Sequence, residues 1–388
     1  MKVLIVHNIY TQPGGEDSVV KAEAELLSNS GIDVVVKYYR NPTSKLKQIG
    51  SLLMEPFNIF QYLRFLKILK QEQPNLVHLH NWHFKSSPSI IWATKASGIP
   101  VIMTIHNYRI LCPSATLFHN GQLFLDSLED RNFMSAIKHK VYHKSYLITA
   151  ALAFTLSTNK RIKTWERIDK FIFLNEFMAN LYKKSYLKLT EHQVSIKPNF
   201  VIDGHTSEIT PAIKRSGFLF VGRLSFEKGI GILLDAFAGS EFHLKIIGDG
   251  PLKPDVLEAS SKFDNIEYLG FKKKKEILEA MESCEALVFP SIWYEGMPIT
   301  ILEAFSCGTP VIASNIGSLQ SLIIDHKNGL HFSAGESEDL RNKLAYWASL
   351  DIDAKDRLHL TTSRIYQNQY TSAKNIDQLI NIYNEAVQ

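Results

Sequence analysis

The sequence predicts an α/β protein made of two parallel-sheet domains, and three observations carry that prediction. Short β-branched runs alternate with longer stretches of helical apolar spacing, which is the pattern of βα units. The series of such units stops near residue 200 and begins afresh near residue 218. The chain of 388 residues also exceeds the length, roughly 250 to 300 residues, at which a single hydrophobic core stops growing.

In the first series, strands are expected at residues 2–7 (KVLIVH), 33–39 (DVVVKYY), 76–80 (LVHLH), 101–106 (VIMTIH) and 170–175 (KFIFLN). The second series places them at 218–224 (FLFVGRL), 243–248 (HLKIIG), 266–270 (IEYLG), 286–291 (ALVFPS) and 310–314 (PVIAS). Between them, residues 197–217 replace periodic apolar positions with Pro198, Gly204, Pro211 and polar side chains, as a linker does. The predicted division is a first domain over 1–205, a second over 206–365 and a C-terminal helical segment over 366–388 that packs back toward the first. In that segment Ile376, Leu379, Ile380 and Tyr383 share one helical face.

Apolar residues make up 45% of the chain and charged ones 21%, which excludes a disordered polyelectrolyte. Too few consecutive apolar residues open the chain to form the core of a signal peptide. The run Tyr146–Leu156 falls short of the roughly 20 residues a membrane-spanning helix needs. Cys112, Cys284 and Cys307 are scattered with no C-x2-C pair, so neither a zinc ribbon nor a disulfide framework is expected, and a reducing cytoplasm fits. Charge is asymmetric: residues 1–200 carry 25 Lys/Arg against 14 Asp/Glu, and residues 201–388 carry 18 against 25, giving +11 and −7. A basic half suits an anionic partner or is simply a solvated basic surface.

In open α/β sheets ligands meet the carboxyl ends of the strands, so the residues following each strand hold the chemistry. After the first strand, Gly14 and Gly15 form a turn whose backbone can approach a ligand closely. His78 and His80 end one strand and His106 ends another; imidazoles at one sheet edge suit sugar hydroxyls or phosphate oxygens. The H-x-H spacing also raises a zinc reading, which is disfavoured because no carboxylate or thiolate lies nearby in sequence. In the second half, VGRLSFEKG places Arg223 and Lys228 across one strand-to-helix turn, two cations suited to a diphosphate. IIGDGPL holds Gly248 and Gly250, but Lys253 stands where the third glycine of a dinucleotide fingerprint belongs.

The most informative segment is FPSIWYEGMPITILEAFSCGTPVIAS, with Glu295 and Glu303 in an E-x7-E arrangement around Gly296 and Pro298. Pro298 is expected in the first turn of a helix whose opening amides form an anion site. One carboxylate would then hold sugar hydroxyls and the other a ribose. Two further patterns are set aside. Asp351-Ile352-Asp353 matches a metal-diphosphate D-x-D but lies beyond the last predicted strand, and Lys272 to Lys275 reads as a solvated helix start facing Glu276 and Glu279.

Taken in order, Gly14-Gly15, VHLHNWH, TIHNYRILCP, KPNFV, VGRLSFEKG, IGDGP, LGF and E-x7-E resemble glycosyltransferase family 4 over essentially the whole chain. The resemblance implies the GT-B architecture, two Rossmann-like domains facing each other across a cleft. It further implies retaining transfer of a hexose from a nucleotide diphosphate sugar, a UDP- or GDP-sugar, to a saccharide or lipid-linked acceptor in surface polysaccharide synthesis. Arg223 and Lys228 would bind the diphosphate, Glu303 the ribose, and Glu295 the transferred sugar. His106 would sit beside the reacting sugar, with Gly14 and Gly15 closing over the phosphate. Gly248, Phe271, Gly296, Met297 and Ile299 would complete the donor site, and His80 and Arg109 would face the acceptor. No metal or other cofactor is expected, since Arg and Lys supply the positive charge.

The first domain is expected to take the acceptor. Its Lys45, Lys47, Arg64, Lys67 and Lys70, with Lys138, Lys140 and Lys144 beside the apolar run, predict peripheral contact with an anionic membrane face rather than nucleic acid. The resemblance departs in one place: Cys112 is followed by ATLFHNGQLF, without the further cysteines of several relatives, so a metal or thiol role for that loop is unsupported. Competing readings are an epimerase or phosphorylase on the same fold, or a catalytically silent sugar nucleotide binding module. The intact set of Arg223, Lys228, Glu295 and Glu303 argues against the latter.

Overall fold

The computed structural model describes the chain except residues 10–14, 42–44, 130, 131 and 202–208, and describes the backbone alone at 45–49 and 129. The chain divides into two compact units. The first comprises Met1–His119, Leu123–Asn199 and Asn375–Gln388; the second comprises Asn120–Gln122 and Phe200–Lys374.

The first unit holds a six-stranded parallel sheet of β1 (Lys2–Ile9), β2 (Asp33–Arg40), β3 (Leu76–Leu79), β4 (Val101–Ile105), β5 (Lys170–Phe173) and β6 (Val194–Ile196), in the order β2-β1-β3-β4-β5-β6. Val3, Ile5, Leu76, Ile102 and Ile172 from this sheet pack with Val20, Ala24 and Leu27 of the helix Gly15–Asn29. The C-terminal helix Ser372–Val387 completes that core with Ile376, Leu379, Ile382 and Tyr383. Ile380, expected on the buried face, is only partly buried, and Ile382 takes its place.

The second unit holds β7 (Phe218–Val221), β8 (Leu244–Ile247), β9 (Ile266–Gly270), β10 (Ala286–Phe289), β11 (Val311–Ser314) and β12 (Gly329–Phe332), ordered β9-β8-β7-β10-β11-β12. This is the doubly wound order of a dinucleotide-binding sheet. Its central strands β7, β10 and β11 are buried along their whole length because both faces are covered, whereas β8 and β9 expose Lys245 and Glu267. Leu219, Val221, Leu287, Phe289, Val311 and Ala313 face one core, while Phe218, Phe220, Ala286, Val288 and Ile312 face the other, as the period of two requires.

Strands end earlier than expected at His80, His106, Arg223 and Ser291, which lie in the turns beyond the ladders. The edge strands β6 and β12 were not expected from sequence: VSI is only three residues long, and GLHF opens on a glycine and is interrupted by His331. The stretch read as a linker is bolted at both ends. Lys197 is buried in the first unit. In the second, the Arg215 guanidinium donates to the carbonyls of Met281, Cys284 and Cys307 and to Thr309 Oγ1.

Candidate functional site

In the second sheet the connections run outward in opposite directions from β7 and β10, so the loops after these two neighbours splay apart and leave a crevice at the switch point. Sequence places Arg223 and Lys228 after β7, and Glu295 after β10. The fold joins two of these three. Lys228 Nζ donates to Glu295 Oε1 at 2.7 Å, and Ser291 Oγ donates to the same oxygen at 2.6 Å. Ser318 Oγ holds the Glu295 carbonyl at 2.8 Å. Lys228 also lies over the rings of Phe289 and Trp293 at 5.4 and 5.5 Å. Its charge is therefore positioned by a carboxylate and two aromatic faces. Arg223 is exposed, and no ion pair is recorded for it among the described residues.

Glycines make this crevice possible. Gly229 ends the turn Phe226–Lys228 at φ 73°, and a Cβ there would fall 1.9 Å from the Pro290 carbonyl oxygen. Gly248, assigned to donor contact, has φ 151°, and a Cβ would meet Gly222 O at 1.9 Å. Its first role is thus to let β7 and β8 end side by side.

The helix Ile299–Ser306 opens beside Glu295, with Pro298 as its N-cap rather than inside the first turn. The reason is that Pro298 has ψ 116°, an extended value outside the helical range. Gly296, Met297 and Ile299 are half-buried, and the latter two pack against the core beneath. Glu303 lies one turn further into the helix, where burial pushes its carboxyl up and Lys274 partly opposes the shift. Phe271, just past β9, is 79% exposed, a ring open to stacking.

Asp351 N-caps the helix Ile352–Gln369 by accepting from Ala354 N, which accounts for the D-x-D match. Lys272 and Lys275 pair with Glu276 and Glu279 along a solvated helix face.

In the first unit the switch point lies between β1 and β3. Gly15 begins the helix after β1, while Gly14 lies outside the described residues. His80 and His106 come together, His80 Nδ1 lying 2.9 Å from His106 Nε2 with the rings stacked. Both line a recess with Arg109, Asn107 and Tyr182. Arg109 is held by its own loop, donating to Pro113 O and lying over the Tyr142 ring. His78 does not reach the recess. It is buried, its Nδ1 2.6 Å from Tyr383 Oη and its Nε2 2.7 Å from Thr104 Oγ1. Burial and the neighbouring His80 hold both His78 and His106 well below the usual imidazole range, so both rings are neutral near pH 7.

Beneath the histidines lies a carboxylate that their H-x-H spacing does not reveal. Glu23 Oε1 is 3.5 Å from His78 Nδ1 and 3.4 Å from His80 Nε2, and the three residues offer atoms close enough to surround a cation. The missing carboxylate therefore no longer argues against zinc, but a buried ammonium does: Lys197 Nζ donates to Glu23 Oε2 at 2.8 Å and to Asn375 Oδ1 at 3.1 Å. Both nitrogens of His78 are also engaged by hydroxyls. The cluster is already charge-balanced. Burial works to raise the Glu23 carboxyl, but Lys197, His80 and His78 outweigh it and hold the group well below the usual carboxylate range. A sequence signal for Glu23 existed: with Val19, Val20, Ala24 and Leu27 it occupies the buried stripe of its helix, where an unpaired carboxylate is costly. Lys197 gave none.

The model for glycosyltransferase family 4 matches residues 13–203, and that for glycosyl transferases group 1 matches residues 209–362. The chain is 38% identical over 128 residues to an uncharacterized glycosyltransferase, MJ1178, of Methanocaldococcus jannaschii, covering 32% of this chain and 36% of that one. It spans less than half the length of the first curated relatives it matches. A longer match, 24% identical over 340 residues and covering 83% of this chain and 78% of the relative, is to an Escherichia coli UDP-Gal:alpha-D-GlcNAc-diphosphoundecaprenol alpha-1,3-galactosyltransferase. Among solved structures, Anabaena Alr3699/HepE in complex with UDP superposes with a TM-score of 0.69 at 16% identity, covering 99% of this chain and 100% of that one.

Proposed function

The chain belongs to glycosyltransferase family 4, with the GT-B fold, and we propose that it transfers a hexosyl group from a nucleotide diphosphate sugar to a glycan or lipid-linked saccharide during polysaccharide synthesis. The observation that carries this reading is the meeting of Lys228, Glu295 and the opening of Ile299–Ser306 at the second sheet's switch point. A diphosphate suits that place because an ammonium and helix amides stabilise charge that grows as the anomeric bond breaks. Arg223 adds a second cation after the same strand, and Glu303 takes the ribose. Glu295, fixed by Lys228 and Ser291, orients the sugar. The acceptor hydroxyl attacks the anomeric carbon from the face the diphosphate leaves, its proton passing to that group, so configuration is retained.

The UDP named with the Anabaena structure and the UDP-galactose named for the Escherichia coli relative make a uridine donor the first to test, with GDP-sugars next. The test incubates the protein with labelled UDP- or GDP-hexoses and a diphosphate-linked saccharide acceptor. Label moving to the acceptor with an unchanged anomer is expected. An isomerised or phosphorolysed donor without transfer would favour the epimerase or phosphorylase reading, and inverted product would remove retention.

Among the described residues no helix is long and apolar enough to cross a membrane. The first unit nevertheless exposes Leu147 at 83%, Phe60 at 69% and Phe154 at 64%, on the helices Ile59–Glu72 and Tyr146–Arg161. Exposed Arg64, Lys67, Lys70, Lys138 and Lys144 lie on or beside these helices, a composition suited to an anionic bilayer surface carrying a lipid-linked acceptor. Co-flotation with anionic but not zwitterionic vesicles, lost in Leu147→Glu/Phe154→Glu, is the expected result; flotation unaffected by the double change removes this face from the reading.

A further inference from the structure

Glu23 Oε1 and His80 Nε2 are both buried, and neither has a hydrogen-bond partner elsewhere among the described residues. They face each other at 3.4 Å. A carboxylate oxygen and an imidazole lone pair at that distance would repel, whereas a proton on Nε2 satisfies both atoms. Lys197 already balances Glu23, so a second proton on His80 would leave a buried net charge. The neutral ring therefore carries its proton on Nε2, and its Nδ1 is an acceptor. The neighbour 2.9 Å from that Nδ1 is His106 Nε2, which must then be the donor.

We propose that Glu23, acting through His80, is a positioning residue that fixes His106 as the Nε2–H tautomer, so that His106 offers Nδ1 as a lone-pair acceptor for a hydroxyl of the sugar or the acceptor. The proposal deepens the glycosyl transfer reading and rests on it for the identity of the ligand. The chain of contacts runs Asn375, Lys197, Glu23, His80, His106. Its far end lies on the C-terminal helix, so that helix holds the proton order as well as covering the core. His106 is half-buried and lines the recess, which makes it the member of the chain that a ligand can reach. Burial and His80 keep it neutral, the state in which one nitrogen remains an acceptor.

The test reads the tautomers directly, by long-range proton–nitrogen correlation on protein with 15N-labelled histidine at neutral pH, His106 being assigned by the signals lost in His106→Gln. Neutral His80 and His106, each with the proton on Nε2, is the expected result. His106 protonated on Nδ1, or His80 doubly protonated, overturns the proposal without any variant. In Glu23→Gln the amide keeps its oxygen on Lys197 and turns its NH2 to His80, which moves the proton of His80 to Nδ1 and that of His106 to Nδ1 in turn. That switch is expected together with a fall in kcat of about tenfold or more and a donor KM changed less than about twofold. A folded Glu23→Gln protein with unswitched tautomers overturns the proposal, and if that variant does not fold the wild-type spectrum decides. Expected tautomers in a protein that transfers no sugar would leave the proton order standing and sink the transferase reading instead.

Discussion

Replacing Lys197 with methionine tests the buried cluster most severely. Lys197 and Glu23 are each 1% exposed and 2.8 Å apart. Methionine fills much of the same volume while leaving the Glu23 carboxylate buried without a countercharge. Removing one partner of such a pair costs about 3 to 5 kcal/mol. For a unit of about 200 residues that is a fall in unfolding midpoint of roughly 6 to 20 °C, at about 2 to 4 °C per kcal/mol. The pH dependence separates this cause from a packing defect. In the native protein the Glu23 carboxyl is held below its ordinary value, so its contribution is present above about pH 4.5 and is lost as pH falls through the depressed value. Without Lys197, burial dominates and raises the folded-state value above the unfolded one. The penalty is then full at high pH and fades as the carboxyl takes up a proton. Thermal and urea unfolding of both proteins near pH 8 and near pH 5 measures this. A loss under about 1 kcal/mol, or a deficit equal at both pH values, would refute the account.

Lys228→Ala is expected to cost about 1.5 to 3 kcal/mol of transition-state stabilisation, a fall of roughly 10- to 150-fold in kcat/KM with the nucleotide sugar, because it removes a charge-assisted donor; steady-state kinetics within threefold of the parent would clear Lys228 of that task. Burial raises the Glu303 carboxyl, so the ionised form that accepts from a ribose is lost at a higher pH than for an ordinary glutamate. Donor KM should accordingly rise as pH drops toward the acid range, and Glu303→Gln should bind weakly with that limb flattened; an identical KM profile in the variant would contradict this. Gly248→Ala puts a Cβ 1.9 Å from Gly222 O at φ 151°, and a loss of more than about 1 kcal/mol is expected. An unchanged melting curve would show that β7 and β8 separate more easily than their pairing indicates.

What the sequence made legible was whatever has a period or punctuates one. Ten strands follow from short apolar runs, because central parallel strands are buried on both faces and so are nearly continuously apolar, and the half-exposed edge strand β9 also falls on the expected residues. The pairing of Lys228 with Glu295 was half legible. Each residue stands after a strand, but their adjacency depends on β7 and β10 being neighbours, which is a property of strand order and not of spacing. Lys197 and Arg215 were illegible for a different reason. Both lie in a stretch without periodicity, where a cation is ordinarily solvated, and their burial comes from partners far away in the chain: Glu23 and Asn375 for one, carbonyls near Met281 and Cys307 for the other.

The same contrast explains how the histidine cluster is built. A strand can bring His78 and His80 to one sheet edge, but it cannot fix the rotation or the proton of either ring, because adjacent strand-end residues lack the donors and acceptors to do so. Those come from three other elements. Glu23 arrives on the helix after β1, Lys197 on the segment after β6, and Asn375 and Tyr383 on the last helix of the chain. The first two contribute groups whose hydrogen-bonding direction is fixed, since a carboxylate only accepts and an ammonium only donates, and together they leave His80 little choice. A ring nitrogen that meets a ligand needs such one-way partners behind it, since two histidines alone can exchange donor and acceptor roles at almost no cost. The buried charges beneath the sheet edge are therefore part of the site, although they act on it only through His80 and His106.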